Sequence, residues 1–120
     1  MAKTILVVDD SPSEMQFILK VLGGRGYRLF TATDGEQALE QASQHSPDVI
    51  VLDIVLPKKN GFQVCRQIKS SEPPVKTKII MVSSKNQDSD KFWGKKQGAD
   101  AYLTKPLNAV DLAAAVESDL

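Results

Sequence analysis

Five short apolar runs, separated by longer stretches with helical spacing, constrain the fold of this chain more than any other feature. They occupy residues 4–8, 28–32, 48–52, 78–82 and 100–104. The first, third and fourth are apolar on both faces, which is typical of a parallel sheet covered by helices on both sides. We therefore predict five parallel strands, of which the second gives the weakest signal.

The segments between the runs carry apolar residues at the spacing of an α-helix. Five helices are predicted, around residues 15–22, 38–42, 62–68, 92–97 and 107–115. The third is expected to end near Pro73 and Pro74. In the fourth, we expect one of Phe92 and Trp93 to pack inward and the other to belong to a partner surface. Strict alternation of strand and helix predicts a right-handed, doubly wound α/β fold.

Length and charge exclude several classes of protein. A chain of 120 residues fits one domain, residues 1–120. Fifteen basic and fifteen acidic side chains cancel, so there is no general electrostatic reason to bind nucleic acid or a membrane surface. The N-terminal apolar run is too short for a signal peptide or a membrane span. The single cysteine, Cys65, suits a reducing compartment, and we predict a soluble cytoplasmic domain.

Acidic, hydroxyl and basic side chains follow the predicted strands at the points where the strands end. Asp9 and Asp10 follow the first strand, Asp53 the third, Ser83 the fourth and Lys105 the fifth. In doubly wound sheets, ligands bind outside the carboxyl ends of the strands. We therefore predict that these five side chains lie at one edge of the sheet and form the functional site.

Helix capping accounts for part of the segment DDSPSE, residues 9–14. We predict that Ser11 caps the first helix, that Pro12 takes the first helical position and that Glu14 completes a capping box. Asp9 and Asp10 have no place in that cap. A charge near a helix N-terminus would explain one of them comfortably, and two of them less well.

Asp9, Asp10 and Asp53 would form a cluster of three carboxylates. Two unit charges about 4 Å apart repel by roughly 4 kcal/mol at an effective dielectric constant near 20. A hard divalent cation relieves that repulsion, and Mg²⁺ takes oxygen ligands and keeps several waters. We hypothesise a Mg²⁺ site formed by Asp10 and Asp53 directly, with Asp9 direct or through water.

Lys105 and Ser83 add the groups that an anionic substrate would need. A lysine facing a carboxylate–metal site can neutralise a phosphoryl group, and the Ser83 hydroxyl can donate to a phosphoryl oxygen. A surface salt bridge for Lys105 and a strand-end turn for Ser83 are the plainer alternatives. Taken together, the set suits formation of an aspartyl phosphate.

Four motifs in order resemble the bacterial response-regulator receiver domain, the phosphoacceptor half of two-component signalling. They are VVDD ending the first strand, VLDIVLPKKNG around Asp53, MVSSK after the fourth strand and YLTKPL at the fifth. The segment KNQDSDKFWGKKQGADAYLTKP further resembles stand-alone regulators of chemotaxis-like pathways that control type IV pili and twitching motility. The resemblance implies a flavodoxin-like fold, with five helices around a five-stranded parallel sheet of order 2-1-3-4-5.

The resemblance also implies a role for each site residue. These roles are Asp53 as phosphoacceptor, Asp9 and Asp10 as the acidic metal pair, Val55 as the source of a backbone carbonyl in the metal shell, Ser83 as the switch hydroxyl, Lys105 as the site lysine before a cis Pro106, and Tyr102 as the aromatic that changes rotamer. With Mg²⁺ as cofactor, Asp53 would accept a phosphoryl group from the phosphohistidine of a sensor histidine kinase or phosphotransfer protein. The fourth helix, fifth strand and fifth helix would then dock a downstream protein target.

Three other classes of function remain to be weighed. A receiver-like module that docks to partners without being phosphorylated is the nearest alternative. An aspartyl-phosphate phosphatase would carry an Asp-x-Asp pattern after the first strand and a cap domain. A flavin-binding module would need a Ser/Thr/Gly-rich loop there, whereas DDSPSE would repel its phosphate. We therefore expect no enzymatic activity beyond the domain's own phosphorylation and dephosphorylation.

Overall fold

The structure is a computed structural model that describes residues 3–71, 75–85 and 87–118. Its strands are β1 Thr4–Val8, β2 Arg28–Ala32, β3 Val49–Asp53, β4 Lys78–Ser83 and β5 Ala101–Thr104. Its helices are α1 Pro12–Leu22, α2 Gly35–His45, α3 Gly61–Lys69, α4 Asp88–Lys96 and α5 Ala109–Glu117. Within these described ranges, no helix is both long enough and apolar enough to span a bilayer.

The five strands form one parallel sheet in the order β2-β1-β3-β4-β5. The predicted fold is therefore confirmed: a doubly wound, flavodoxin-like α/β architecture of order 2-1-3-4-5. β3 and β4 are buried along their whole length, as expected of central strands covered on both faces.

Each face of the sheet has its own hydrophobic core because successive side chains of a strand point to opposite faces. On one face, β-strand residues such as Ile5 and Ile80 pack with α1 and α5. On the other face, Leu6 and Ile79 pack with α2 and α3. The two layers of helices leave the carboxyl edge of the sheet open, and this edge positions the site.

Some predicted element boundaries shift by one or two residues. β3 begins at Val49 and includes Asp53, so the predicted phosphoacceptor is the last residue of its strand. The fifth helix begins at Ala109 and not at Leu107, because the Asn108 side chain caps it and accepts the N–H groups of Val110 and Asp111. The third helix ends at Lys69, and the predicted stop at Pro73 and Pro74 lies outside the described residues.

Helix α4 differs from the prediction that one of its two aromatic side chains packs inward. Phe92 is 58% exposed and Trp93 is 55% exposed, and Gly94 is the buried residue of this helix. A methyl group at Gly94 would lie 3.0 Å from the Met81 sulfur and 3.0 Å from the Tyr102 ring. Because Gly94 has no side chain, the backbone of α4 lies close to the sheet there. Gly94 therefore takes the inward position of the helix, and Phe92 and Trp93 extend toward solvent.

Candidate functional site

A cleft of about 500 Å³ opens at the carboxyl edge of the sheet. It is lined by Asp10, Ser11, Glu14, Asp53, Val55, Ser83, Ser84, Lys105 and Pro106. A cavity of similar size, about 520 Å³, lies between α2 and α3 but contains none of the predicted site residues. The structure therefore brings five of the seven predicted site residues to one cleft, with Asp9 beneath it and Tyr102 behind it.

Asp9 and Asp10 are adjacent in sequence but occupy different environments. Asp9 is 1% exposed, and its Oδ1 accepts the Ser11 N–H at 2.9 Å, whereas Asp10 is exposed in the cleft. The predicted capping box is therefore wrong in one half. Ser11 Oγ accepts the Glu14 N–H at 3.4 Å, but Asp9 takes the Ser11 N–H that Glu14 was expected to accept. Glu14 instead faces the Lys105 ammonium group at 4.0 Å.

Asp9, Asp10 and Asp53 each place a carboxylate oxygen within 4.8 Å of the others. Burial and the nearby Asp9 charge raise the pKa of Asp53 from its ordinary 3.8 to about 6, despite the opposing effects of Lys105 and the Val55 N–H. Asp53 is 4% exposed, so its carboxylate is held as a partly desolvated base beside a second negative charge. A cation at this position would offset the cost of burying the charged Asp53 carboxylate and would reduce its repulsion by Asp9.

Lys105 supplies one such cation. Its Nζ lies 3.3 Å from Asp9 Oδ2 and 3.4 Å from Asp53 Oδ2. Burial lowers the pKa of Lys105, but the carboxylates of Asp53, Asp9 and Glu14 outweigh burial, so its pKa is raised and the ammonium stays charged. Lys105 does form salt bridges, as the plainer alternative supposed, but they do not lie at the surface because the Lys105 side chain is only 15% exposed. The Lys105–Pro106 peptide bond is cis, as the resemblance implied.

Ser83 and Tyr102 lie on the α4 side of the cleft. Ser83 is buried, and its Oγ accepts the Lys85 N–H at 3.1 Å. The Tyr102 hydroxyl donates to the Lys85 carbonyl oxygen at 2.7 Å. Burial raises the pKa of Tyr102, and the nearby Ser83 side chain opposes that rise. The segment after β4 thus connects the cleft with the Tyr102 ring and α4.

Val55 is the second residue of the loop that connects β3 with α3, residues 54–60. Its N–H donates to Asp53 Oδ1 at 3.3 Å, and its side chain is exposed at the cleft. The loop returns to the strand end at Gly61, whose N–H donates to the Ile54 carbonyl oxygen at 2.8 Å. The conformation of this loop therefore fixes where the Val55 backbone lies relative to Asp53.

Gly35 contacts that loop from the N-terminus of α2, and no motif of the sequence indicated this residue. A methyl group on Gly35 would lie 2.1 Å from the Lys59 carbonyl oxygen. The Gly35 N–H donates to the Pro57 carbonyl oxygen at 3.2 Å. In addition, the Lys58 Nζ lies 3.8 Å from Oδ2 of Asp34, the residue that caps α2. No signal in the sequence links residue 35 to the loop, because the contact forms only when α2 packs on the sheet beside α3.

We expect Gly35→Ala to displace this loop and to weaken Mg²⁺ binding by about tenfold, as losses of supporting contacts at metal sites do. A methyl group 2.1 Å from a backbone oxygen cannot be accommodated without a backbone shift. Calorimetric titration with Mg²⁺ measures the effect. Gly24→Ala is the control for backbone strain without a steric clash, because Gly24 has a positive φ of 75° but no neighbouring atom within 4 Å. Equal Mg²⁺ affinities for the two variants would show that Gly35 does not position the site.

The donor set at the cleft fits Mg²⁺ better than softer metals. The three clustered ligands are carboxylates, and Mg²⁺ prefers carboxylate oxygens together with water. Asp10 is exposed and lines the cleft, so bound waters have room there. The residues that would hold the ion are Asp10, Asp53 and Asp9, with a backbone carbonyl from Val55.

Asp10→Asn is expected to weaken Mg²⁺ binding by about tenfold or more, because it removes a charged ligand from the solvent side of the cluster. Equilibrium titration of the variant and of Asp111→Asn, which removes an exposed carboxylate from α5, measures the difference. If Asp10→Asn binds Mg²⁺ as tightly as the unmodified chain does, the proposed metal ligands are wrong.

A family model described as the response regulator receiver domain matches residues 5–117. The chain belongs to this family. Receiver domains are the input modules of two-component response regulators, and this receiver domain has the fold and the acidic cleft that its motifs predicted.

Known proteins of the chemotaxis and pilus type are among the relatives of this receiver domain. Protein PilH of Pseudomonas aeruginosa is 40% identical over 116 residues, which are 97% of this chain and 96% of PilH. The solved structure of chemotaxis response regulator CheY4 of Vibrio cholerae superposes with a TM-score of 0.89 at 32% identity, covering 98% of each chain. The transcriptional regulatory protein PhoP of Bacillus subtilis is 41% identical over 120 residues, and the chain spans about half (49%) of its length.

Proposed function

We propose that this receiver domain accepts a phosphoryl group on Asp53, with Mg²⁺, from the phosphohistidine of a sensor histidine kinase or phosphotransfer protein. Phosphorylation would then change a protein-docking face made of α4, β5 and α5. One observation carries the proposal: Asp53 is a buried carboxylate of raised pKa that faces an open cleft between two further carboxylates and Lys105. The similarity to PilH and CheY4 supports a signalling role in motility.

Asp53 is placed to act as the nucleophile. A carboxylate oxygen of Asp53 would attack phosphorus, the bond from phosphorus to the donor's ring nitrogen would break, and the electron pair would remain on that nitrogen. The raised pKa of about 6 makes Asp53 a stronger base than an ordinary aspartate, yet leaves it ionised at pH 7. Mg²⁺, held by the acidic cluster, would neutralise charge on the phosphoryl group.

Lys105 would hold the phosphorylated state. Its ammonium already lies 3.4 Å from Asp53 Oδ2, so it can donate to a phosphoryl oxygen after a small movement. In doing so it would loosen its contact with Asp9 at 3.3 Å. The Ser83 hydroxyl would also turn to the phosphoryl group, which would free the Lys85 N–H that it now accepts. Movement of that segment would alter the Tyr102 contact and, through it, α4.

The experiment that tests this function is the intact mass of the protein after incubation with acetyl phosphate. We expect a gain of one phosphoryl group in the presence of Mg²⁺, and no gain with a chelator or in the Asp53→Asn variant. The bond should be stable in acid and labile in base. If the unmodified protein gains no phosphoryl group from any donor, the function would instead be that of a docking module that is never phosphorylated.

We further propose that residues 1–120 act as one cytoplasmic domain with no catalytic activity on other substrates. Cys65 supports a reducing location. It is buried, it forms no disulfide, and burial raises its pKa to about 12, so the thiol is unreactive. The balanced charge of the chain supports protein partners over direct contact with nucleic acid or a membrane.

A further inference from the structure

Helix α4 exposes its apolar side chains and buries its backbone. All nine of its residues, Asp88–Lys96, are described, and Gly94 is the buried one. Phe92 lies two positions before Gly94, which places it about 200° around the helix, on the outermost line. Most surface helices place their large apolar side chains against the core. α4 therefore leaves Phe92 and Trp93 mostly exposed to solvent, and neither side chain belongs to the hydrophobic cores.

Lysines flank these two aromatic residues in the sequence of α4, Lys91 before them and Lys95 and Lys96 after them. Lys95 and Lys96 are exposed in the last turn, and the Lys96 ammonium lies 5.8 Å from the centre of the Phe92 ring. Phe92 and Trp93 contact each other edge to face, with ring centres 6.3 Å apart. We call Phe92, Trp93, Lys95 and Lys96 the α4 ridge.

The acidic residues of α4 lie at its opposite end. Asp88 and Asp90 are in the first turn, and Asp90 accepts the Gln87 N–H at 3.2 Å as part of the helix cap. The exposed Lys91 follows them, so all three lysines of α4 lie after both aspartates and the ridge belongs to the basic part of the helix. Lysines in a last turn also stabilise the helix dipole, which explains Lys95 and Lys96 in part. That effect does not explain why the two aromatic side chains before them are exposed.

We propose that the α4 ridge binds an acidic segment of a partner protein that places an apolar side chain between Phe92 and Trp93 and carboxylates beside Lys95 and Lys96. The proposal rests on the proposed function and refines it, because it names the chemistry of the downstream target and places its anchor on α4 alone. Exposed aromatic side chains are typical centres of protein interfaces, and rim charges select the partner and speed the encounter.

A protein segment fits the ridge better than nucleic acid or a membrane surface does. The lysines of α4 lie within residues 91–96, fewer than two helical turns, and Asp88 and Asp90 would repel a phosphate backbone or an anionic bilayer that extended along α4. The whole chain also has no net positive charge. A short segment with a few carboxylates and one apolar anchor matches both the length of the basic part of α4 and its composition.

The test is an unbiased selection of displayed random 16-residue peptides on the immobilised protein, followed by counter-selection on the Phe92→Ser variant. The peptides that depend on Phe92 should be acidic and should contain an aromatic or aliphatic anchor. Selection of basic or uncharged peptides, or the absence of peptides that depend on Phe92, would overturn the proposal.

Affinities of the selected peptides can be read from Trp93, the single tryptophan of the chain and part of the ridge. Lys95→Glu combined with Lys96→Glu should weaken acidic peptides by about tenfold, and added salt should weaken them in the unmodified protein. Lys20→Glu combined with Lys76→Glu is the charge-matched control, since both side chains are exposed and lie outside α4. Equal weakening by this control pair would show that net charge, and not the ridge, decides binding.

Titrations with and without acetyl phosphate and Mg²⁺ separate this proposal from the proposed function. Acidic peptides that bind the ridge equally in both conditions, on protein whose mass shows phosphorylation, would retain the docking site and reject the switch. Phosphorylation without any ridge-dependent acidic peptide would retain the phosphoacceptor and reject the docking site. Binding of a DNA duplex or of anionic vesicles in place of peptides would also reject it.

Discussion

Replacing Lys105 with methionine is expected to lower the free energy of unfolding by about 3 kcal/mol at pH 7 in the presence of a chelator. The Lys105 ammonium lies 3.3 Å from Asp9 and 3.4 Å from Asp53, and both carboxylates are almost fully buried. Methionine preserves the apolar length of the side chain but leaves the two buried carboxylates without their cation. Breaking a buried pair on one side costs more than the pair itself contributes, because the remaining charge stays desolvated.

Urea denaturation of the unmodified protein and of Lys105→Met measures the loss. Lys85→Met is the matched control, since Lys85 is exposed and should change stability by no more than about 0.5 kcal/mol. Adding Mg²⁺ should restore part of the lost stability, because the ion supplies positive charge to the same carboxylates. A loss in Lys105→Met no larger than in the control would show that the buried carboxylates do not depend on Lys105.

Replacing Asp53 with asparagine is expected to have the opposite effect. The free energy of unfolding of this variant should exceed that of the unmodified protein by about 1 to 3 kcal/mol at pH 7 with a chelator. The pKa of Asp53 is about 6 in the folded chain against an ordinary 3.8. Between these two values the folded chain binds more protons than the unfolded chain, so ionisation of Asp53 lowers stability as the pH rises. The neutral amide of asparagine avoids that ionisation.

The pH dependence of this difference is the decisive measurement. The stability gain of Asp53→Asn should be small near pH 4, should grow as the pH rises to 6 and should level off above it. Denaturation curves from pH 4 to pH 8 determine it, with Asp88→Asn as a control for an exposed carboxylate. A stability difference that stays constant across this range would show that the Asp53 carboxylate is not destabilised by burial.

The strands and the location of the site could be predicted because both follow from local features of the sequence. Continuous apolar runs identified the buried strands, and the polar residue that ends each run marked the carboxyl edge of the sheet. Asp53 and Lys105 are 52 positions apart, yet in a parallel sheet both must reach the same edge. The motifs then gave the strand order through the resemblance, which periodicity alone did not determine.

The errors in the prediction have one local cause and two long-range causes. The predicted capping box is wrong because Asp9, two positions before Ser11, accepts the Ser11 N–H, and because the distant Lys105 faces Glu14. The predicted inward packing of an α4 aromatic side chain is wrong because the absence of a side chain at Gly94 lets the helix backbone approach Met81 and Tyr102. The contacts of Lys105 and Gly94 leave no pattern in the local sequence.

The sequence by itself determined the architecture, the edge at which the site lies and the residues that form it, because periodicity and strand ends are local properties. The tertiary structure alone decided the burial and the contacts of each of those residues. It buried Asp9 and left Asp10 open, placed Lys105 between two carboxylates and packed Gly35 against the loop of Val55. Burial and charge proximity set the pKa of Asp53, and both depend on which distant segments meet when the sheet and helices pack together.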